Sequence, residues 1–144
     1  MVISELKSEH IDYVKSIIIN RWNVSEQEAI SEIERWIVNE DNSICFVGLV
    51  NDIPIATGVF DTISDIDYTI SPWNTLLWVE PEYRGNNYGK LLTEKRFLHA
   101  EKSGYKEIYL DTVSAKDYHL KIGWEIVREF YKNNDLYIIM KFNL

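Results

Sequence analysis

The stretch that most constrains the fold runs from a short apolar strand, through a loop of small and amide residues, into an amphipathic helix. The strand ends at Val79, the loop contains Gly85, Asn86 and Asn87, and the helix begins near Gly89. Backbone N–H groups at such a helix start point the same way and lie at the positive end of the helix dipole. The order of elements therefore predicts an anion site, with a phosphate or pyrophosphate as the ligand.

Arg84 and Lys90 flank this loop and add positive charge. The common phosphate motifs do not fit the spacing. A Walker loop needs four residues between its glycines and then Lys with Ser or Thr. Here three residues separate Gly85 from Gly89, Leu91 follows Lys90, and the dinucleotide pattern G-x-G-x-x-G is absent. The alternative interpretation is an ordinary strand–loop–helix connection that binds nothing.

Hydrophobic periodicity and turn residues predict eleven elements in the order β-α-α-β-β-β-α-β-α-β-β. Strands are predicted over residues 2–6, 44–50, 53–63, 73–80, 107–112, 124–131 and 136–142, and helices over residues 9–20, 26–38, 88–102 and 115–122. The strand–helix–strand passage from residue 74 to 112 implies a parallel pair, because parallel neighbours need a crossover connection. The length of 144 residues predicts a single domain spanning 1–144.

The helices carry capping residues and apolar stripes. Ser8 is expected to cap the first helix, and Ser25 with Glu28 forms a capping-box pattern before the second. Gly104 supplies a stop for the third helix. Apolar residues recur at helical spacing in all three: Ile11, Val14 and Ile18 form a stripe on the first helix, Ile30, Ile33 and Ile37 on the second, and Leu91 and Leu98 lie two turns apart on the third.

Charge is unevenly distributed along the chain. The net charge is −8, with 4 basic and 15 acidic side chains in residues 1–83 and 11 basic and 8 acidic in residues 84–144. An anionic cofactor suits the second part and a cationic substrate suits the first, although a solubilising acidic surface is an equal alternative. Nucleic acid is a poor fit for so acidic a chain.

Cysteine usage and hydropathy point to a reducing compartment. The single Cys45 lies in an apolar run and is expected to be buried and inert, which fits the cytoplasm. No apolar run approaches the ~18–20 residues that cross a bilayer, and the N-terminus lacks the layout of a signal peptide. No membrane association is therefore expected. The three histidines are scattered, so no metal site is expected either.

Two motifs and the order of elements resemble the GNAT family of N-acetyltransferases. Arg84, Asn87 and Gly89 occupy the defined positions of its acyl-CoA loop, Arg/Gln-x-x-Gly-x-Gly/Ala, and residues 115–124 are similar to the family's Ala-x-x-Phe-Tyr-x-x-x-Gly-Phe/Trp. Asn87 replaces the usual glycine, but Asn tolerates the left-handed backbone region, so the loop can still form. The resemblance implies an α/β (α+β) fold with a mixed central sheet flanked by helices.

The same resemblance implies an acetyl-CoA-dependent N-acetyltransferase in which a primary amine attacks the thioester directly. The backbone of the central strand near Leu77 and Val79 would hold the pantetheine arm and polarise the thioester carbonyl. No metal is required. The residues implied in acetyl-CoA binding are Leu77, Val79, Arg84, Gly85, Asn86, Asn87, Tyr88, Gly89, Lys90 and Thr112. The alternative is a non-catalytic acyl-CoA sensor or interaction module with the same fold.

The family's usual proton donor to the leaving thiolate is a tyrosine, and His119 stands at that position here. Its imidazole would have to be protonated first, which an anionic cofactor and an acidic surface would favour. Tyr118 is the alternative donor. Glu80 is the candidate base, with Asp65, Asp67 and Glu40 as regional alternatives and a water relay also plausible.

Aromatic side chains are abundant, at 13% of the chain. Five of them could form a wall for an ammonium group by cation–π contact, with packing in the core or at an interface as the alternative: Trp22, Trp36, Tyr68, Trp73 and Trp78. Trp36 lies beside the stripe of Ile33 and Ile37 and is expected to pack. Exposed aromatics and the closing hairpin, which includes residues 136–142, suggest a homodimer.

Overall fold

The computed structural model describes all residues from Met1 to Leu144. Its strands and helices are β1 (Val2–Glu5), α1 (Ile11–Trp22), α2 (Glu26–Val38), β2 (Ile44–Val50), β3 (Ile53–Asp61), β4 (Trp73–Val79), α3 (Tyr88–Lys102), β5 (Glu107–Thr112), α4 (Lys116–Lys121), β6 (Glu125–Lys132) and β7 (Asp135–Asn143). Seven strands form one sheet in the order β1-β2-β3-β4-β5-β7-β6. Only β4 and β5 run parallel, so the expected parallel pair and the mixed sheet are confirmed.

Helices cover both faces of the sheet. Alternate residues of β2 point to opposite sides, so Ile44 and Phe46 pack with Leu92 and Ala100 of α3, whereas Cys45 packs with residues of α1 and α2. The α3 side holds the larger of the two apolar clusters, with 12 buried residues against 8. No helix is long and apolar enough to cross a membrane.

Most element bounds follow the sequence prediction. The helices α2 and α3 and the strands β2 and β5 have the predicted bounds. The Ser25 hydroxyl accepts a hydrogen bond from the Glu28 N–H at 3.2 Å, which closes the first turn of α2. The predicted cap at Ser8 is wrong, because residues Ser8–His10 form a 3₁₀ turn and α1 starts at Ile11.

The apolar stripe predicted for α2 is displaced by one position. Ile30 and Ile37 are 40% and 48% exposed, whereas Ala29, Ile33 and Trp36 are buried. A hydrogen-bond partner explains the difference, because the Trp36 indole N–H donates to the buried Asp61 carboxylate at 3.1 Å. The face with the large aromatic ring therefore packs inward, and two isoleucines remain in solvent.

The leucines that recur at helical spacing on α3 also lie outside its buried face. Leu91 and Leu98 are 41% and 52% exposed, and the buried positions are Leu92, Arg96 and Ala100. A leucine-based stripe cannot identify this face, because its central residue is an arginine that is only 1% exposed.

Candidate active site

A cleft opens in the sheet where β4 and β5 diverge. The two strands pair only at Trp73 and Tyr109, next to a hydrogen bond from the Tyr109 N–H to the Pro72 carbonyl at 2.9 Å. Beyond this pair, β5 continues to pair with β7 while its other edge has no neighbour. The resulting cleft has a volume of about 600 Å³ and extends to the N-terminal end of α3.

A bulge shapes the β4 side of this cleft. Thr57 pairs with Trp78 and Val59 pairs with Thr75, so β4 carries one residue more than β3 between these pairs. Leu76 lies in this interval and has a φ of +50°, a value that is unusual for a bulky side chain. Strained backbone of this kind persists where the surrounding structure enforces it, and it commonly marks functional sites.

The loop between β4 and α3 adopts the conformation expected of it. Asn87 has a φ of +61° and Gly85 a φ of +82°, so both occupy the left-handed region. The Asn86 side chain holds the turn by donating to the Tyr83 carbonyl at 3.0 Å. Asn87 is the N-cap residue, yet its side chain accepts no hydrogen bond from the helix. The first N–H groups of α3 are therefore not capped by that side chain and can bind an anion.

Gly89 lies in the first turn of α3 and lines the cleft. Its backbone has no positive φ, and an added Cβ would lie 3.8 Å from the Leu77 side chain and 4.0 Å from that of Val79. The protein itself therefore has room for a side chain here. A glycine at this position leaves the backbone open to close approach by a ligand. Lys90 follows it at the cleft, with its ammonium 3.8 Å from the Glu94 carboxylate.

Arg84 does not extend its side chain towards this helix start. Its Nε donates to the Val79 carbonyl at 2.9 Å, and its guanidinium carbon lies 4.7 Å from the centre of the Trp78 ring. Arg21 also contacts this indole, at 4.3 Å. Two cations therefore already use the π system of Trp78, which argues against its predicted part in an ammonium-binding wall.

His119 and Tyr118 both line the cleft on α4. The His119 ring packs edge-on against Trp124 with centroids 5.8 Å apart, and its Nδ1 is buried without a hydrogen-bond partner. Burial lowers the pKa of His119 below its ordinary value. This direction is opposite to the one expected from an acidic surface, so the imidazole is neutral near pH 7. Tyr118 is 61% exposed.

Asp111 is a cleft residue that the sequence analysis missed. It lies on β5, one position beyond the buried Leu110. Burial raises the pKa of Asp111 and the negative charge of Asp65 raises it further, whereas a hydrogen bond from its own backbone N–H and the charge of Lys132 oppose the rise. An isolated aspartate within a strand gives no motif that could have identified it. Its position became evident only when the divergence of β4 and β5 was known.

Two predicted residues have structural partners outside the cleft. The Glu80 carboxylate accepts a hydrogen bond from the Tyr13 hydroxyl at 3.1 Å, and burial followed by the Glu80 charge raises the pKa of Tyr13. The Thr112 hydroxyl accepts a hydrogen bond from the Ala115 N–H at 3.0 Å and so stabilises the turn before α4. The predicted roles of Glu80 and Thr112 have no support from these positions.

Six of the predicted site residues line one cleft, and seven do not. Those at the cleft are Leu77, Asn87, Gly89, Lys90, Tyr118 and His119, and those outside its lining are Val79, Glu80, Arg84, Gly85, Asn86, Tyr88 and Thr112. Tyr88 and Val79 pack against the apolar cluster on the α3 side. No group of three or more His, Cys, Asp or Glu side chains is arranged to hold a metal ion.

Solved structures share this architecture at low sequence identity. An aminoglycoside 6'-N-acetyltransferase complexed with coenzyme A superposes with a TM-score of 0.78 at 18% identity, over 99% of this chain and 97% of that one. A ribosomal-protein-alanine N-acetyltransferase from Brucella melitensis gives 0.78 at 14% identity, over 100% of both chains. The structure of yncA from Salmonella typhimurium with its cofactor acetyl-CoA gives a TM-score of 0.77 at 14% identity, over 100% of this chain and 94% of that one.

No curated protein matches the sequence. The family model described as the acetyltransferase (GNAT) family, however, matches residues 11–124, which is most of the chain and includes the loop, the bulge and α4. The solved structures agree with it in fold. The family predicted from the loop and from the order of elements is confirmed, and this protein belongs to the acetyltransferase (GNAT) family.

Proposed function

We propose that this protein transfers the acetyl group of acetyl-CoA to a primary amine by direct attack of the amine on the thioester. The observation that carries the proposal is the divergence of β4 and β5 after a single pair, which opens a cleft of about 600 Å³ leading to the uncapped start of α3. A thioester with a long arm and a diphosphate at its far end fits such a cleft.

The start of α3 would hold the diphosphate. Asn87 and Gly85 set the left-handed turns of the loop, and Gly89 leaves space for an oxygen to approach the backbone. The free N–H groups of the first turn supply hydrogen bonds, and Lys90 supplies charge. Because Arg84 is held on Trp78 and Val79, its side chain contributes little to this binding unless it rotates away.

The bulge of β4 would polarise the thioester. Backbone N–H groups near Leu76 and Leu77 cannot all pair with β3, because the register shifts there, so at least one of them would be free to donate to the thioester oxygen. Fixed donors aimed at a developing oxyanion are worth about 3–4 kcal/mol each in acyl-transfer sites. The strained φ of Leu76 would be the structural cost of this arrangement.

Asp111 would bind the ammonium form of the acceptor and accept its first proton. The carboxylates of Asp65 and Asp111 are close enough for the charge of Asp65 to raise the pKa of Asp111, and a cation between them would relieve that repulsion. A raised pKa also makes Asp111 a better base than an ordinary aspartate. We therefore favour Asp111 over Glu80, which is engaged with Tyr13.

His119 would return a proton to the CoA thiolate. The amine nitrogen forms its bond to the acetyl carbon, the carbon–sulfur bond breaks, and the nitrogen loses a second proton. A neutral imidazole, which burial favours at His119, can take that proton and then give it to sulfur. The first proton stays on Asp111 until that carboxyl releases it to solvent, which returns the site to its starting state, and no external acid is needed.

The test is the release of free CoA thiol with acetyl-CoA and a panel of amines. The panel contains a polyamine, an aminoglycoside, free amino acids and peptides with free N-termini, since the solved relatives act on an aminoglycoside and on a ribosomal-protein alanine by name. Asp111→Asn should lower kcat/KM by about tenfold or more, in line with the loss of a general base. Glu101→Gln, which removes an exposed carboxylate at the far end of α3, is the matched control.

Tight CoA binding without thiol release for any amine would favour the alternative function, a non-catalytic acyl-CoA-binding module. Turnover in Asp111→Asn equal to wild type would refute the assignment of the base alone. The cationic nature of the acceptor, the homodimer and the cytoplasmic location stay predictions.

A further inference from the structure

Arg96 is a buried cation at the cleft that no part of the proposed mechanism uses. It lies in the middle of α3, is 1% exposed and lines the cleft beside the β4 bulge. Its Nε donates to the Leu92 carbonyl at 3.2 Å and its Nη2 to the Thr93 hydroxyl at 2.9 Å. Its Nη1 donates to the Thr75 carbonyl at 3.0 Å and to the Val59 carbonyl at 3.4 Å.

Every acceptor of this guanidinium is neutral, so its charge is not compensated. Burial lowers the pKa of Arg96 to about 9, and no carboxylate contributes to it. Burying a charge without a counter-ion is costly, and an apolar side chain of similar volume would pack on this face without that cost. The arginine is therefore poorly explained as a contribution to stability alone.

Two of the four hydrogen bonds stay within α3, and the other two reach the bulge. Val59 belongs to β3 and Thr75 to β4, and together they form the pair next to the register shift. The guanidinium also lies flat against Gly58, where an added Cβ would come within 3.2 Å of the Arg96 Cζ. Arg96 thus bridges the two strands at the bulge, where their own ladder of hydrogen bonds is interrupted.

We propose that Arg96 is a positioning residue for acyl transfer, which fixes the Thr75–Leu76 peptide unit and through it the free N–H groups of the bulge. The C=O and N–H of a trans peptide unit point in opposite directions. A guanidinium that holds the Thr75 carbonyl therefore determines where the Leu76 N–H points. A charged donor on that carbonyl also polarises the same peptide unit and strengthens its N–H as a donor.

This inference rests on the proposed function, since it concerns donors that would bind the thioester oxygen. It differs from a purely structural role in what it predicts. A structural arginine would change the temperature of unfolding and leave the kinetics of the folded enzyme intact. A positioning arginine would change kcat in a folded enzyme that still binds CoA, because the start of α3 is about two turns away.

The test compares Arg96→Met and Arg96→Lys with the matched control Lys95→Met, which removes an exposed cation from the same helix. Arg96→Met should lower kcat by about tenfold to a hundredfold, the usual effect of misplacing a catalytic group by an ångström. Its dissociation constant for CoA should change by less than about threefold, because the diphosphate site is untouched. Arg96→Lys should recover part of the rate, since an ammonium reaches Thr75 but cannot also span Val59 and Thr93.

A second variant keeps the proposal testable if Arg96→Met does not fold. Gly58→Ala retains the charge, and its methyl group, within 3.2 Å of the Arg96 Cζ, pushes the guanidinium by a few tenths of an ångström against the bulge; it should lower kcat with CoA binding unchanged. A folded Arg96→Met, or failing that a folded Gly58→Ala, with a kcat within twofold of wild type would overturn the proposal.

A measurement without turnover separates this inference from the proposed function. The amide proton shifts of Leu76 and Leu77 are compared between complexes with CoA and with acetyl-CoA, in the absence of any amine. The acetyl carbonyl should move at least one of these resonances in the wild type, and the movement should be lost in Arg96→Met. Equal movement in both proteins would refute the role of Arg96. Absence of thiol release from the wild type with every amine would refute the function only.

Discussion

Replacing Gly89 by alanine should stabilise the fold and weaken CoA binding, a combination that tests the site directly. The backbone at Gly89 has no positive φ, and its Cβ would make only ordinary contacts, at 3.8 Å to Leu77 and 4.0 Å to Val79. Alanine at such a compatible position stabilises by about 0.5–1 kcal/mol, chiefly by restricting the unfolded chain. The midpoint of urea unfolding should therefore rise while the slope stays constant.

The same methyl group would occupy the space in which a phosphate oxygen meets the first turn of α3. Loss of one or two hydrogen bonds between the backbone and an anion costs about 1.5–3 kcal/mol, which corresponds to about a tenfold to hundredfold weaker dissociation constant. Calorimetric titration with CoA measures it. A gain in the free energy of unfolding together with a loss of affinity for CoA is expected only if a ligand occupies the space beside Gly89.

Gly85 and Gly104 provide the matched controls for this experiment. Both have a positive φ, +82° and +87°, and at both an added Cβ would meet nothing within 4 Å. Alanine at either position should therefore destabilise the fold by about 1 kcal/mol through backbone strain. Gly104→Ala, at the other end of α3, should leave CoA binding unchanged. Wild-type affinity for CoA in Gly89→Ala would refute the assignment of the diphosphate site, and a fall in stability would refute the argument that the folded protein has room for this side chain.

Three further predictions follow from buried polar groups. The folded pKa of His119 lies below its unfolded value near 6.5, so the unfolded state binds more protons and the free energy of unfolding falls as pH drops below ~6.5. In His119→Gln, urea titrations at several pH values should show a shallower fall. An equal dependence of stability on pH in both proteins would contradict a buried neutral imidazole. Asp61→Ala should lower the free energy of unfolding in urea by about 3 kcal/mol, because Asp61 is 5% exposed and accepts hydrogen bonds from Trp36 and Arg35. A loss under ~1 kcal/mol would contradict this, and would show that the remaining carboxylates at Arg35 compensate its charge. Burial raises the pKa of Cys45 to about 12, so maleimide should label this thiol only on unfolding, and fast labelling of the native protein would disprove its burial.

Element bounds were predictable wherever local signals coincide. The bounds of α2 and α3 follow from a capping serine, a terminal glycine and helical spacing, all of which are local in sequence. The loop conformation was also predictable, since Asn87 needs only its own tolerance of the left-handed region. The cap at Ser8 failed because a 3₁₀ turn uses that residue before α1 begins.

The buried face of α3 could not be predicted, and that of α2 was predicted only for Ile33 and Trp36, because the partners of these faces are distant in sequence. Trp36 packs inward to reach Asp61, 25 residues away, and Arg96 does so to reach Val59, 37 residues away. A periodicity that ranks side chains by hydropathy assigns an arginine to solvent. Only the tertiary arrangement of carbonyl acceptors at the bulge reverses that assignment.

The candidate site divides in a comparable way. Residues whose part depends on the backbone, such as Asn87 and Gly89, were identified from the motif. Residues whose role depends on the direction of a side chain were not identified from the motif. Arg84 folds onto Trp78, and Asp111 reaches the site from a different strand. A family motif specifies the path of the main chain more securely than the direction of the side chains attached to it.

The single pair between β4 and β5 leaves a seam in the middle of the sheet, where the facing edges of the two strands are unpaired, and this seam should affect how readily the protein aggregates. Unpaired strand edges recruit other strands, which is how many sheet proteins come to associate. An extended amide-containing arm laid along the seam would cover it, as an added strand does in peptide recognition. Protein freed of CoA should accordingly aggregate on storage or gentle warming, and saturating CoA should prevent this aggregation.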